Sequence, residues 1–112
     1  MGVLKTYPVT KFIAGEKVTT SDVSVVTSSI YTTTGESAVI VKGEGDKTVI
    51  LNHETTDHIT VKSLSDNVLI KTTTGSIDGE YEEIEIHKGA CVELRCVFDE
   101  WYIMSSDGLK NS

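Results

Sequence analysis

At 112 residues the chain suits one ordinary domain, long enough to bury a core but with little to spare. A formal charge of −7 argues against a nucleic-acid surface, because a phosphate backbone is bound by clustered lysine and arginine. No apolar run reaches the ~18 residues of a membrane-spanning helix, and the start MGVLKTYPVTKF lacks the apolar stretch and cleavage site of a secretory leader.

In chain order, residues 1–22 come first as a distinct piece. Lys5, Lys11 and Lys17 stand against Glu16 and Asp22, a net of +1, which leaves −8 for the remaining ninety residues. The only proline, Pro8, also lies here. Val3, Leu4, Tyr7, Val9, Phe12 and Ile13 give this segment much apolar area and little room to fold on itself. Such a segment gains by adding a strand to another chain's sheet edge or by filling its grooves. The alternative is that residues 3–13 are the first strands of the domain. The expected layout is an arm over 1–22, a β body over 23–104 and a flexible polar tail over 105–112.

Within the body no segment carries apolar residues at helical spacing for long enough to form a helix. Threonine, valine and isoleucine are abundant, and β-branched side chains favour strands. The runs VSVVT (23–27), SAVIVK (37–42), KTVIL (47–51), HITVK (58–62), NVLIK (67–71), EEIEI (82–86), ACVELRCVF (90–98) and EWYIM (100–104) predict strands. Between them lie TTTGE, KGEGD, NHETTD, SLSDN, TGSIDG, HKG and FDE, rich in turn residues. That spacing predicts an all-β fold, an antiparallel β-sandwich or jelly-roll-like body behind an extended N-terminal arm. YTTTGES at 31–37 and KTTTGSI at 71–77 form one internal echo.

The densest apolar run, HKGACVELRCVFDEWYIM, reads as core by alternation. Val92, Leu94, Cys96 and Phe98 fall on one face, and Cys91, Glu93, Arg95 and Val97 on the other. FDE is then a tight turn, with EWYIM as hairpin partner. Cys91 and Cys96, five residues apart on one strand, are ~17 Å apart and on opposite faces, too far to pair. Two free thiols suit synthesis in a reducing cytosol.

No catalytic, cofactor-binding or metal-binding set emerges. His53 and His58 flank Glu54 and Asp57, but HxxxxH matches neither a zincin helix nor a Cys/His zinc pattern. The run Asp78, Glu80, Glu82, Glu83 and Glu85 lacks EF-hand spacing and reads as a solvated edge. KGEGDK is not a phosphate-binding loop, and no nucleophile elbow exists. Asp99 and Glu100 read as turn residues. Trp101 and Tyr102 could form a sugar-stacking platform, but one aromatic pair in a terminal hairpin is more often core or subunit contact, and both are candidate oligomer contacts.

From 59 to 108 the chain resembles a β module of tailed-phage structural proteins, which occurs in tail fibres, head fibres and small capsid decoration proteins. The matching positions are ITVK at 59–62, GSIDG at 75–79, the Glu93–Leu94 pair and WYI at 101–103, roughly the last half of the chain. No long shaft of repeats precedes the module and the chain opens on methionine, so the likeness is greatest to a podovirus capsid decoration, or staple, protein. The resemblance implies a jelly-roll-like body on the outer capsid surface of the virion, an arm lying over capsid subunits, and no catalytic residues or cofactor. It further implies synthesis in the host cytoplasm, the major capsid protein as partner, and a homo-oligomer (dimer or trimer). A receptor- or carbohydrate-binding module of a tail fibre is the second expectation, and a bacterial β domain with an enzymatic partner the third.

Overall fold

The computed structural model describes residues 22–109. Within them the chain is all β. Its eight strands are β1 (Val23–Val26), β2 (Ile30–Thr32), β3 (Ala38–Val41), β4 (Lys47–Leu51), β5 (His58–Ser63), β6 (Asn67–Thr72), β7 (Glu83–Val97) and β8 (Glu100–Leu109). β1, β3, β4, β5 and β6 fall where the alternating runs predict them.

Three boundaries differ. β2 matches none of the predicted strands, and its last residue, Thr32, opens the TTTGE turn segment. The runs at 82–86 and 90–98 fuse into one 15-residue strand, β7, because the chain passes HKG without reversing, with Gly89 at φ +90°. β8 extends through residues 105–109, so most of the expected flexible tail is paired strand, with Cys91 opposite Asp107 and Ile86 opposite Leu109.

The larger correction is to strand direction. An antiparallel sandwich was expected, but β1–β3, β3–β5, β2–β4 and β4–β6 all pair in parallel. Each pairing skips one strand, so β1–β2, β3–β4 and β5–β6 are three successive coils, each contributing one strand to each of two stacks. Val23 lies beside Ala38 and Ala38 beside Thr60, offsets of 15 and 22 residues. Ile30 lies beside Thr48 and Lys47 beside Val68, offsets of 18 and 21. The result is a short two-sided β-solenoid rather than a jelly roll. Period-2 alternation marks which face a residue takes but says nothing about the direction of the neighbouring strand. The short loops at 27–29, 42–46 and 64–66 resemble hairpin turns in composition, yet each carries the chain across to the opposite stack.

β7 closes the last coil. Its second half (91–95) runs antiparallel to β5 and its first half (83–87) antiparallel to β6, so one bent strand spans both stacks. β8 then pairs along the other edge of β7, with register shifts on either side of 91–93.

Side chains facing between the stacks are fully buried: Val39 and Val41, Val49 and Leu51, Ile59 and Val61, Val68 and Ile70, capped by Ile86, Val92, Leu94, Ile77 and Trp101. One corner of the coils is a threonine ladder. Buried Thr33 donates its N–H to Ile50 O, accepts from Asn52 N, and meets the hydroxyl of buried Thr56 at 3.0 Å. One layer on, Thr73 N donates to Leu51 O. The echo YTTTGES/KTTTGSI is this corner seen twice, following β2 in the first coil and β6 in the third. At the opposite corner buried Lys47 donates to Thr27 O at 2.9 Å.

Val92 and Leu94 are buried, Arg95 is exposed and Glu93 faces outward half-buried, as alternation requires. Cys96 is half-buried. Phe98, expected inside, is 98 % exposed. The register Val97↔Glu100 makes Phe98 and Asp99 the two central residues of the hairpin turn, both at positive φ (52° and 63°), so the strand ends one residue earlier than the apolar pattern does. Leu94→Ala is expected to cost about 2–5 kcal/mol in denaturant unfolding, and Glu93→Ala at neutral pH much less. Equal losses would contradict this facing.

Candidate functional site

The two ends of the coil stack differ in closure and in charge. At the far end residues 73–109 hold nine acidic against two basic side chains, a net of −7. At the near end residues 23–35 hold no charged side chain. β1 and β2 are the terminal strands of the sheet order, so each leaves one edge without a strand partner among the described residues. Their outward side chains are exposed: Val23 44 %, Val25 58 % and Ile30 63 %. Their inward side chains Ser24, Val26 and Tyr31 are only half-buried, whereas the same positions one layer deeper (Val39, Val41, Val49) are fully enclosed. Under this end Glu36 is buried. Burial pushes its carboxyl up, but hydrogen bonds from Tyr31, Thr34 N and Ser24 outweigh that and hold it below the usual range.

At the far end GSIDG and WYI meet. Ile77 bridges Trp101 in parallel, Asp78 N donates to Trp101 O, and Trp101 N donates to Ser76 O. Asp78, at φ +59°, accepts from Ile103 N at 2.9 Å. Glu100 accepts from the Ser76 hydroxyl and from Ser76 N, bonds that lower its carboxyl pKa. The loop thus covers part of the outer edge of β8.

The arm residues Val3, Leu4, Tyr7, Val9, Phe12 and Ile13 lie outside the described residues. Trp101 and Tyr102 separate. Trp101 is fully enclosed by its own chain, which corrects its assignment as an oligomer contact and removes it from any sugar platform. Tyr102, on the opposite face of β8, is 42 % exposed. Among the described residues no three His, Cys, Asp or Glu side chains gather closely enough to hold a metal ion. Cys91 and Cys96 are both free thiols, and burial pushes the Cys96 thiol up. His53 bonds the Thr73 hydroxyl at 3.1 Å. His58, by contrast, lies across the β5–β7 pair and bonds Glu93 at 2.6 Å, while Ser105 donates to the other Glu93 oxygen at 3.0 Å. The serine reaches the glutamate and not the histidine, so nothing here activates it as a nucleophile.

Those two bonds, His58 first, hold the Glu93 carboxyl below its ordinary range. Glu36 and Glu100 are shifted the same way. The stabilisation is complete above the unfolded carboxylate value of ~4.3 and is lost as pH falls through the lower folded values. Thermal midpoints are therefore expected to fall as the pH drops below about 5 and through the lowered folded values, and the Glu93→Gln variant should show a shallower drop than wild type. Identical pH profiles would show that the His58–Glu93 contact contributes nothing.

No sequence motif marks Val23, Val25 and Ile30, whose side chains are exposed. The available signal was the uncharged stretch 23–35 set against a chain otherwise rich in charge. Among the described residues these features define an all-β coil-stacked module whose first coil has unpaired outer edges and no charged side chain over 23–35, and whose far end is closed and acidic. No family model, curated protein or solved structure matches the chain.

Proposed function

We propose that this chain is a viral structural protein that binds the outer capsid surface and stabilises the shell by clamping neighbouring subunits of the major capsid protein. The observation that carries the reading is the polarity of the body. Residues 1–21 lead through Asp22 into the first coil, whose residues 23–35 carry no charged side chain, while residues 73–109, with a net of −7, form the opposite, hairpin-closed end. That arrangement suits a molecule attached at one end and solvated at the other. The resemblance of 59–108 to phage β modules supports the same reading. So does the apolar content of the arm, with Val3, Leu4, Tyr7, Val9, Phe12 and Ile13 available to fill grooves or extend a sheet in the shell. Binding many symmetric copies would stabilise the assembled shell by mass action.

Co-sedimentation with shells assembled from the major capsid protein tests it. The full chain is expected to pellet with shells, and a variant lacking residues 1–15 to stay in the supernatant while keeping a β-type circular dichroism spectrum. A folded truncation that pellets as well as the full chain would remove the arm from the mechanism. Failure of the full chain to bind shells would remove the function.

A further inference from the structure

We infer that the β7–β8 hairpin tip is a protein-docking finger, with Phe98 as the anchor that enters an apolar pocket rimmed by lysine or arginine on another protein. The inference stands whether or not the near end binds a shell. Strain, exposure and charge at the tip carry it.

The strain lies in the turn. Phe98 and Asp99 are its two central residues, at φ 52° and 63°. Two-residue turns with both centres at positive φ favour asparagine, aspartate and glycine. Every other positive-φ position among the described residues holds glycine or aspartate. A bulky aromatic at such an angle is an outlier, and strained residues of this sort gather at binding sites.

The fold gains nothing from the ring in exchange. Phe98 is 98 % exposed, so it adds no packing to the core. It also has apolar company, for Val97 and Tyr102 are both exposed. Val97 pairs with Glu100 and Tyr102 with Arg95, which makes Val97 and Tyr102 diagonal neighbours on the outward face of the hairpin, ~7–8 Å apart. An exposed phenylalanine beside valine and tyrosine has the composition of an interface centre, where aromatics are enriched.

Charge selects the partner. Asp99 lies in the turn with its side chain 75 % exposed, Glu100 follows it, and Asp57 O accepts from Cys96 N alongside. Burial first, then the carboxylates of Asp99, Asp57 and Glu100, push the Cys96 thiol up, so all three charges act on the base of this tip. Arg95 stands on the same hairpin, and His53 lies 4.0 Å from Asp99. An apolar anchor set among carboxylates complements a pocket with a basic rim. It does not suit an anionic bilayer, whose surface repels those carboxylates, nor the same tip of a second copy.

Panning a random peptide library against the full 112-residue chain tests the proposal. The enriched peptides are expected to combine apolar residues with lysine or arginine, and to bind less tightly as salt rises. Phe98→Gly should weaken the selected peptides about tenfold or more, since tenfold corresponds to ~1.4 kcal/mol. Asp99→Asn should weaken them about two- to fivefold, the scale of an exposed ion pair. Because glycine accepts positive φ freely, Phe98→Gly should unfold at the same or a higher denaturant concentration than wild type. A lower concentration would make Phe98 a structural residue and overturn the inference. So would a library that yields no binder, yields acidic peptides, or yields peptides that bind Phe98→Gly equally well. Phe98-dependent binding to phosphatidylcholine–phosphatidylserine vesicles would overturn it in favour of a membrane. Self-association in sedimentation equilibrium that Phe98→Gly abolishes would overturn it in favour of a second copy.

Discussion

Trp101→Ala is expected to lower the unfolding free energy by about 3–5 kcal/mol, the range for removing a large buried aromatic. A domain of this size has roughly 5–15 kcal/mol in total, so the variant should be partly unfolded at moderate temperature. The reason is local. Trp101 is fully buried, it is the largest enclosed side chain, and it lies where β8, the GSIDG loop and the bottom of the coil stack converge. Its backbone also bonds Ser76 and Asp78, so a cavity there loosens the closure of the far end as well as the core. Its indole N–H has no hydrogen-bond partner among the described residues. Trp101→Phe therefore loses no hydrogen bond and removes a buried unpaired donor, an arrangement that itself costs ~1–3 kcal/mol. Phenylalanine should recover most of the stability that alanine loses. Equal losses for both, in chemical denaturation, would mean that the indole nitrogen contributes in a way the geometry does not account for.

The second large effect is expected at Gly75. Its φ of +61° already disfavours any side chain, at ~1–2 kcal/mol. A Cβ there would also come within 2.4 Å of Asp99 O and 2.2 Å of the Glu100 carboxylate, so the β7–β8 turn would have to move. Adding the ~1–3 kcal/mol typical of overpacking gives roughly 2–5 kcal/mol for Gly75→Ala. Gly79 is the control, with a similar φ of +67° and nothing within 4 Å of a built Cβ. Gly79→Ala should cost only the backbone part. If the two alanine variants unfold at the same denaturant concentration, the close approach of the loop to the hairpin does not constrain the fold.

Both predictions concern the junction between two sequence segments, GSIDG at 75–79 and WYI at 101–103. In sequence they are 22 residues apart from Gly79 to Trp101, and no local rule says that they touch. Their contact depends on β7 running unbroken through Gly89, which carries Trp101 back beside Ile77.

The all-β class, five of the eight described strands nearly to the residue, and the inward set Val92 and Leu94 were legible in the amino-acid sequence. These follow from local physics, namely β-branched content and period-2 alternation between turn residues. The tertiary structure decided the rest. Parallel pairing rests on contacts 15–22 residues apart, which alternation within one strand does not encode. β2 carries no strand signal of its own because its three residues sit among threonines and serines, and only the neighbouring β4 makes them a strand. Phe98 is apolar and in phase with the core, yet the two-residue turn turns it into solvent. Trp101 and Tyr102 are adjacent and both aromatic, and only the packing of the GSIDG loop and the coil stack buries one and leaves the other exposed. The uncharged run 23–35 was visible in the sequence, but its position at the open end of a coil stack was not, because that depends on which strands have neighbours on both sides.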